Sequence, residues 1–238
     1  MSKNVSKTVG MTVLMIVVLL PLGVYFLLRT GKNFYKQLEI VGSRTPVTNA
    51  TGGVDTVYHT IYDSYPDFRF PTQRGDTLTW DSLRGRIIIA NVFFSNCKGP
   101  CPKLSSTMSQ LSAYLKTQES TQAAKDIRFL SISVDPANDS VPRLKEYAAL
   151  YNADPARWYF ITGEKDKLYK LAMDAFYFQA EYVDSNGVPL FIHDEHLRLI
   201  DPDGRIRKGD HFIDGTNPAD IQYMKDELKL LLHEYQNK

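Results

Sequence analysis

Cysteine is almost missing from this chain: Cys97 and Cys101 are the only two in 238 residues. A disulfide-dense scaffold is therefore excluded. One bridge across the three intervening residues would add little, because the stabilisation grows with the length of loop closed. Basic runs are missing too. Beyond position 36 the chain carries 23 Lys and Arg against 27 Asp and Glu, a net of −4. A mildly acidic body without a basic patch speaks against a nucleic-acid partner. There is no internal repeat and no low-complexity segment. With 43% apolar and 23% charged residues the composition is globular, neither disordered nor collagen-like.

Acidic residues are absent from positions 1–36, where Lys3, Lys7, Arg29, Lys32 and Lys36 supply the charge. Within that stretch residues 8–28 (TVGMTVLMIVVLLPLGVYFLL) hold 21 positions without a charge. That is about the length that crosses a hydrocarbon core at ~1.5 Å per residue. A cleavable signal peptide would have a shorter apolar core and small residues at its end, whereas this run ends Leu27-Leu28-Arg29-Thr30. The expectation is an uncleaved transmembrane anchor at 8–28 behind a tail at 1–7, with Pro21 tolerated inside it. Lysines on both sides nearly balance the positive-inside rule. A short tail and a large following domain favour export of the domain to the extracytoplasmic side, in a periplasm-like compartment or an intermembrane space. Residues 29–60 read as a tether and lead-in, broken by Gly42, Pro46, Gly52 and Gly53, with short β-like pieces (LEIVG, VDTVYHTIY). Residues 61–238 read as the folded domain.

In that domain RIIIANVFF (86–94) is a nearly continuous apolar run, as expected of a strand buried on both faces. Leu104, Met108, Leu111 and Leu115 recur at helical spacing over 102–117. Strands are expected at 127–134 and 157–163, helices at 141–151 and 164–176. A hairpin at 196–209 turns on Asp201-Pro202-Asp203-Gly204, and a last amphipathic helix carries Ile221, Met224, Leu228, Leu231, Leu232 and Tyr235. Alternating strands and helices imply an α/β sandwich with a mixed sheet. A central strand that delivers a cysteine pair to a helix start is the thioredoxin-like layout.

Pro102 suits the first helical turn, which puts Cys101 at or near the N-cap and Cys97 in the preceding loop. The helix N–H groups and dipole favour a thiolate there, and Lys98 and Lys103 add positive charge. Thiolates attack disulfides and also bind soft metals, so position alone leaves both roles open. Two thiolates are an incomplete metal site. Copper(I) commonly gains a third ligand and zinc wants four. Of five histidines, His233 reads as a surface residue on the last helix. His59 stands in the lead-in without a supporting ligand, and His211 faces solvent after the hairpin. His193 and His196 lie in FIHDEHLRLID, in a loop entering a late strand; such loops pass close to the start of the first core helix in a thioredoxin-like sheet.

Taken in series, FFSNCKGPCPKLSSTM, SISVDPANDS, WYFITG and HDEHLRLIDPDG resemble the motif blocks of the Sco/SenC family, membrane-tethered thioredoxin-like copper proteins linked to cytochrome c oxidase assembly. The blocks span about residues 66–210. The resemblance places the family's copper ligands on Cys97, Cys101 and His193, and His196 on a position where the family has no ligand. Asp135 and Asp139 match the family's acidic pair, although a turn or helix-cap role explains both. Arg198 stands where the family usually has an aromatic, the CKGPC loop is more basic than many, and the lead-in before Pro66 is long.

The function this resemblance implies is a copper metallochaperone or thiol reductase that assists copper-site assembly of cytochrome c oxidase. It would hold Cu(I) or Cu(II), and its partner would be the oxidase's copper-site subunit or another copper protein. The rival is a metal-independent, membrane-anchored thiol–disulfide oxidoreductase that uses Cys97 and Cys101 catalytically and can dispense with His193. A peroxidase fits less well, because SNCKGPC offers no lone cysteine with a threonine upstream.

Overall fold

The structure, a computed structural model, describes residues 15–22, 24–25, 37–117, 125–179 and 194–236. The chain divides into two units, residues 1–36 and 37–238. In the first, residues 15–22 and 24–25 are helical with exposed side chains. Among the described residues no helix is long and apolar enough to cross a membrane. The rest of the 8–28 run lies outside the described residues.

The second unit opens with strand β1 (Glu39–Val41), the hairpin β2–β3 (Arg44–Thr48, Val54–Tyr58), the single turn α1 (Ile61–Ser64) and the hairpin β4–β5 (Arg69–Pro71, Thr77–Thr79). Then come β6 (Ile87–Phe93), α2 (Cys101–Thr117), β7 (Ile127–Ser133), α3 (Val141–Leu150), β8 (Trp158–Ile161) and α4 (Lys165–Lys170). The chain ends with β9 (His196–Ile200), β10 (Ile206–Lys208), β11 (Ile213–Asp214) and α5 (Pro218–Gln236). The main sheet runs β1-β10-β9-β6-β7-β8, with β11 added to β9. Strands β6, β7 and β8 are parallel, while β9 is antiparallel to β6 and β10.

All seven residues of β6 are buried, and they alternate between two cores as the pleat demands. Ile88, Ala90 and Val92 face a layer that contains Phe68, Phe70, Trp80, Leu168 and Phe176. Ile87, Ile89 and Phe93 face the helices, meeting Leu104, Met108 and Leu111 of α2, Leu144 of α3 and Met224 and Leu228 of α5. The expected strands and helices are all present within a residue or two of their expected limits, with one change. The helix expected at 164–176 is α-helical only to Lys170 and widens into a π turn over Leu171–Ala175. There the Phe176 N–H bonds to the Leu171 carbonyl and the Phe178 N–H to that of Ala172, and both phenyl rings are buried. The lead-in also adds to the sheet. β1 pairs with β10, and buried Leu38 before it gives its carbonyl to Arg207.

This topology positions the site. Parallel β6, β7 and β8 end at one edge of the sheet, and antiparallel β9 begins at that same edge. The loop with both cysteines, the Asp135–Asp139 turn and residues 194–196 therefore converge there.

Candidate metal and thiol site

After β6 the chain turns sharply, with the Cys97 N–H donating to the Phe94 carbonyl at 3.2 Å. The Leu104 N–H bonds to the Pro100 carbonyl at 2.9 Å. That makes Pro100 the N-cap and Cys101 the first helical residue, one place further in than Pro102 suggests. Both thiols are free and buried. They pack into the same apolar cluster as Phe93, Leu104, Leu197 and Ile213.

Burial decides the state of Cys101. The thiol is pushed up to about 12, first by desolvation and then by its hydrogen bond and charge coupling with Cys97; backbone contacts at Phe94 and at Cys101 itself pull the other way and lose. The expectation of a thiolate stabilised by the helix start is thus reversed in the metal-free protein, because the cost of burying a charge exceeds the dipole's contribution. Two adjacent, unbridged, shielded thiols are a fitting donor set for a soft metal, which binds them as thiolates by displacing their protons.

The loop before Cys97 is held by Asp139. Its carboxylate, fully buried, accepts the Ser95 N–H at 3.1 Å and the Ser133 hydroxyl at 2.5 Å. Arg143 adds bonds from Nε to the Ser95 hydroxyl at 3.1 Å and from Nη2 to Asn96 Oδ1 at 3.3 Å. Asp139 is therefore not a helix cap: the N-cap of α3 is Ser140, without a side-chain bond. Asp135 does keep the expected turn role, accepting Asn138 Nδ2 at 2.8 Å and the backbone N–H groups of Asn138 and Asp139.

On the other side of the edge, Glu195 is tied to the cysteine helix. The Glu195 carbonyl accepts the Gly215 N–H at 2.8 Å, and the Gly215 carbonyl accepts the Thr107 hydroxyl of α2 at 2.6 Å. His193 lies outside the described residues. Among the described residues no third His, Asp or Glu joins the two thiols in a metal-binding group. His196 packs its Nδ1 against Asp194 Oδ1 at 2.9 Å. His211 is half-exposed and bonded to Asp220 through Nε2 at 3.1 Å, and His59 bonds through Nε2 to the Thr45 hydroxyl at 2.8 Å. His233 is exposed on α5.

The sequence marks Arg198 only as a departure from the family pattern and gives Asp194 no role; their side chains are 2% and 3% exposed and joined at 2.6 Å. Burial alone would raise the Asp194 carboxyl. The Arg198 guanidinium and the N–H groups of His196 and Gln179 outweigh it and hold the group below its ordinary value. The available signal was an arginine in the middle of HLRLI, a strand otherwise too apolar to face water.

Known proteins bear on these residues as follows. The family model described as SCO1/SenC matches residues 58–227. A SCO1 protein homolog of Bacillus subtilis is 31% identical over 173 residues, covering 72% of this chain and 86% of its own length. Among solved structures, BsSco is described as carrying a disulfide switch and as a member of the Sco family of cytochrome c oxidase assembly proteins. It superposes with a TM-score of 0.57 at 29% identity, covering 70% of this chain and 91% of that one. ScoI of Bradyrhizobium japonicum, solved with copper bound, gives a TM-score of 0.52 at 22% identity over 69% of this chain and 96% of its own, a likeness of fold. With residues 58–227 matched, and the cysteine loop, the Asp135–Asp139 turn and β9 all inside the match, the chain belongs to the SCO1/SenC family.

Proposed function

We propose that Cys97, Cys101 and His193 take up a copper ion and pass it on as cargo to a copper-site subunit of cytochrome c oxidase or to another copper protein. The observation that carries this reading is the pair of free, buried thiols at the sheet edge where Glu195 is bonded through Gly215 to the helix of Cys101. His193 precedes Glu195 by two residues, a span of at most about 7 Å of chain. The SCO1/SenC membership and the copper-bound ScoI structure support the choice of metal. Soft sulfur suits Cu(I), and an added imidazole lets the same site accept Cu(II). Residues 8–28 would anchor the protein in a membrane behind the 1–7 tail, with 29–60 as lead-in and 61–238 as the thioredoxin-like domain on the extracytoplasmic side; the uncharged apolar run supports this.

Copper titration of the wild type, His193→Ala and Cys97→Ser/Cys101→Ser tests the reading. Loss of affinity in the first variant and of stoichiometry in the second is expected. Unchanged binding in either overturns it.

The adjacent thiols favour one second reading, a thiol–disulfide oxidoreductase without metal, in line with the disulfide switch of BsSco. Reduction of a protein disulfide by the metal-free protein, at equal rate in His193→Ala, would support it over the first.

A further inference from the structure

The hairpin β2–β3 stands apart from the main sheet, its two strands pairing only with each other. Such a ribbon is marginal in water unless further strands or a helix join it. Yet all of β2 and the first four residues of β3 are exposed. Beyond position 36 the described residues include five exposed large apolar side chains, and three of them are on this ribbon: Val47 at 45%, Val54 at 71% and Val57 at 51%. The family match begins at residue 58, so β1, β2 and nearly all of β3 lie outside it.

The hydrogen bonds at its two ends show which backbone groups the ribbon leaves open. At the turn the Asn49 N–H donates to the Gly53 carbonyl at 2.8 Å, and at the base the His59 N–H donates to the Ser43 carbonyl at 3.0 Å. Bonded pairs recur at every second residue of an antiparallel ladder, so the Thr45–Val57 and Val47–Asp55 pairs bond inward. The backbone groups of Arg44, Pro46 and Thr48 therefore point out along one edge, and those of Val54, Thr56 and Tyr58 along the other. Pro46 has no N–H and blunts the first edge. The second carries neither proline nor lysine, and among the described residues no further strand pairs with it.

We infer that the β3 edge is a self-association surface, taken by β3 of a second copy in an antiparallel pair centred on Thr56. In that register Val54 faces the partner's Tyr58, and Thr56 faces the partner's Thr56 across a two-fold axis. All three outward residues of each strand then exchange hydrogen bonds, about six in total. A shift by two residues would leave one outward residue of each strand unpaired. A β-branched residue opposite an aromatic one, and threonine opposite threonine, are favourable cross-strand pairs. Asp55, the only charge in β3, faces the partner's Val57, so no like charges meet. Two marginal ribbons become one four-stranded sheet, of the size that sustains itself. Five residues a side make less than a standard interface, which implies reversible association at about micromolar concentrations or above.

The test uses the full chain in detergent micelles, with light scattering over a concentration series as the readout. Thr56→Lys and Thr56→Glu each set two like charges against each other at the axis, on a side chain that is exposed in the monomer. The wild type is expected to dimerise with concentration, and each variant alone to associate at least about tenfold more weakly. Mixing the two variants should restore dimers, since Lys then faces Glu. Thr48→Lys adds the same charge to the same face of the ribbon, on the strand away from the axis, and should associate like wild type. Should a Thr56 variant fail to fold, Val54→Asp, which alters the residue facing the partner's Tyr58, decides in its place. A wild type that stays monomeric up to about 1 mM overturns the inference. So does a dimer that the Thr56 variants leave unchanged, which assigns the contact to another surface. Equal weakening by Thr48→Lys overturns it too, because net charge and not register would then be the cause.

Discussion

Thr107 and Gly215, 108 residues apart, are joined by a 2.6 Å hydrogen bond from the threonine hydroxyl to the glycine carbonyl. The approach is close enough that a Cβ on Gly215 would collide with Leu104 Cδ1 and stand 3.2 Å from Leu197. A side chain there would have to push the buried Leu104 and Leu197 side chains aside. Gly215→Ala is expected to destabilise the fold by about 1–3 kcal/mol through overpacking, read as a lower urea midpoint at unchanged slope. An unchanged midpoint would mean that Leu104 and Leu197 can give way.

Removing the Asp139 carboxylate strands the Ser95 N–H and the Ser133 hydroxyl beside the thiol loop. Asp139→Ala should cost about 1–3 kcal/mol, the penalty of a buried donor left without a partner. It should also speed alkylation of Cys97 in the metal-free protein, as the turn before it loosens. Asp139→Asn, which keeps one acceptor oxygen, should do less on both counts. Equal labelling rates in all three proteins would show that the loop holds itself.

Because burial pushes the Cys101 thiol up to about 12, and the thiolate is the nucleophile, iodoacetamide should label Cys101 of the metal-free protein slowly at pH 8. The rate should keep climbing well above pH 9. Between the ordinary thiol value and about 12 the folded chain holds a proton that the unfolded chain has released, so stability should fall as pH rises through that window. Copper uptake should release protons, measurable with a pH dye, and affinity should weaken on acidification. A labelling rate that levels off near neutrality would refute the burial argument.

Arg207 joins three parts of the chain: the Leu38 carbonyl ahead of β1, Asp201 in the hairpin turn and Glu234 on α5. Its side chain is 2% exposed and that of Asp201 fully buried. Arg207→Met is expected to cost about 3–5 kcal/mol, as when one member of a buried pair is removed. The lower end is favoured, because Arg205 still holds Asp201 at 2.9 Å. Thermal unfolding of the variant checks this; a melting temperature equal to wild type would show the ion pairs to be energetically neutral.

What the sequence revealed was whatever is local or periodic. The run RIIIANVFF is strand β6 because a strand buried on both faces is nearly all apolar, its one polar residue, Asn91, accepting the Ser131 hydroxyl. The spacing of Leu104, Met108, Leu111 and Leu115 is α2 because those side chains share one helical face. The turn at Asp201–Gly204 and the α5 stripe follow from the same local rules. The thiol pair was legible from its place between strand and helix, but the protonation of Cys101 was not, since burial depends on Leu197 and Ile213 arriving from far along the chain. The capping role suggested for Asp139 failed for the same reason: its partner Ser95 lies 44 residues upstream. Arg198, one charged letter inside an apolar strand, reads as an irregularity until Asp194, Phe178 and Phe212 surround it.

The antiparallel strand β9 lies between β6 and β10, pairing Ala90 of the cysteine-bearing arm with Arg198. During synthesis β6, α2 and β7 emerge well before it, and pairings between distant segments close slowly. For that interval the two thiols exist without Leu197 and Ile213, the neighbours that later bury them. Burial of the thiols can therefore be completed only after β9 and β11 have joined the sheet, and a chain in which an oxidant had already bridged Cys97 and Cys101 would enter its fold with the disulfide made.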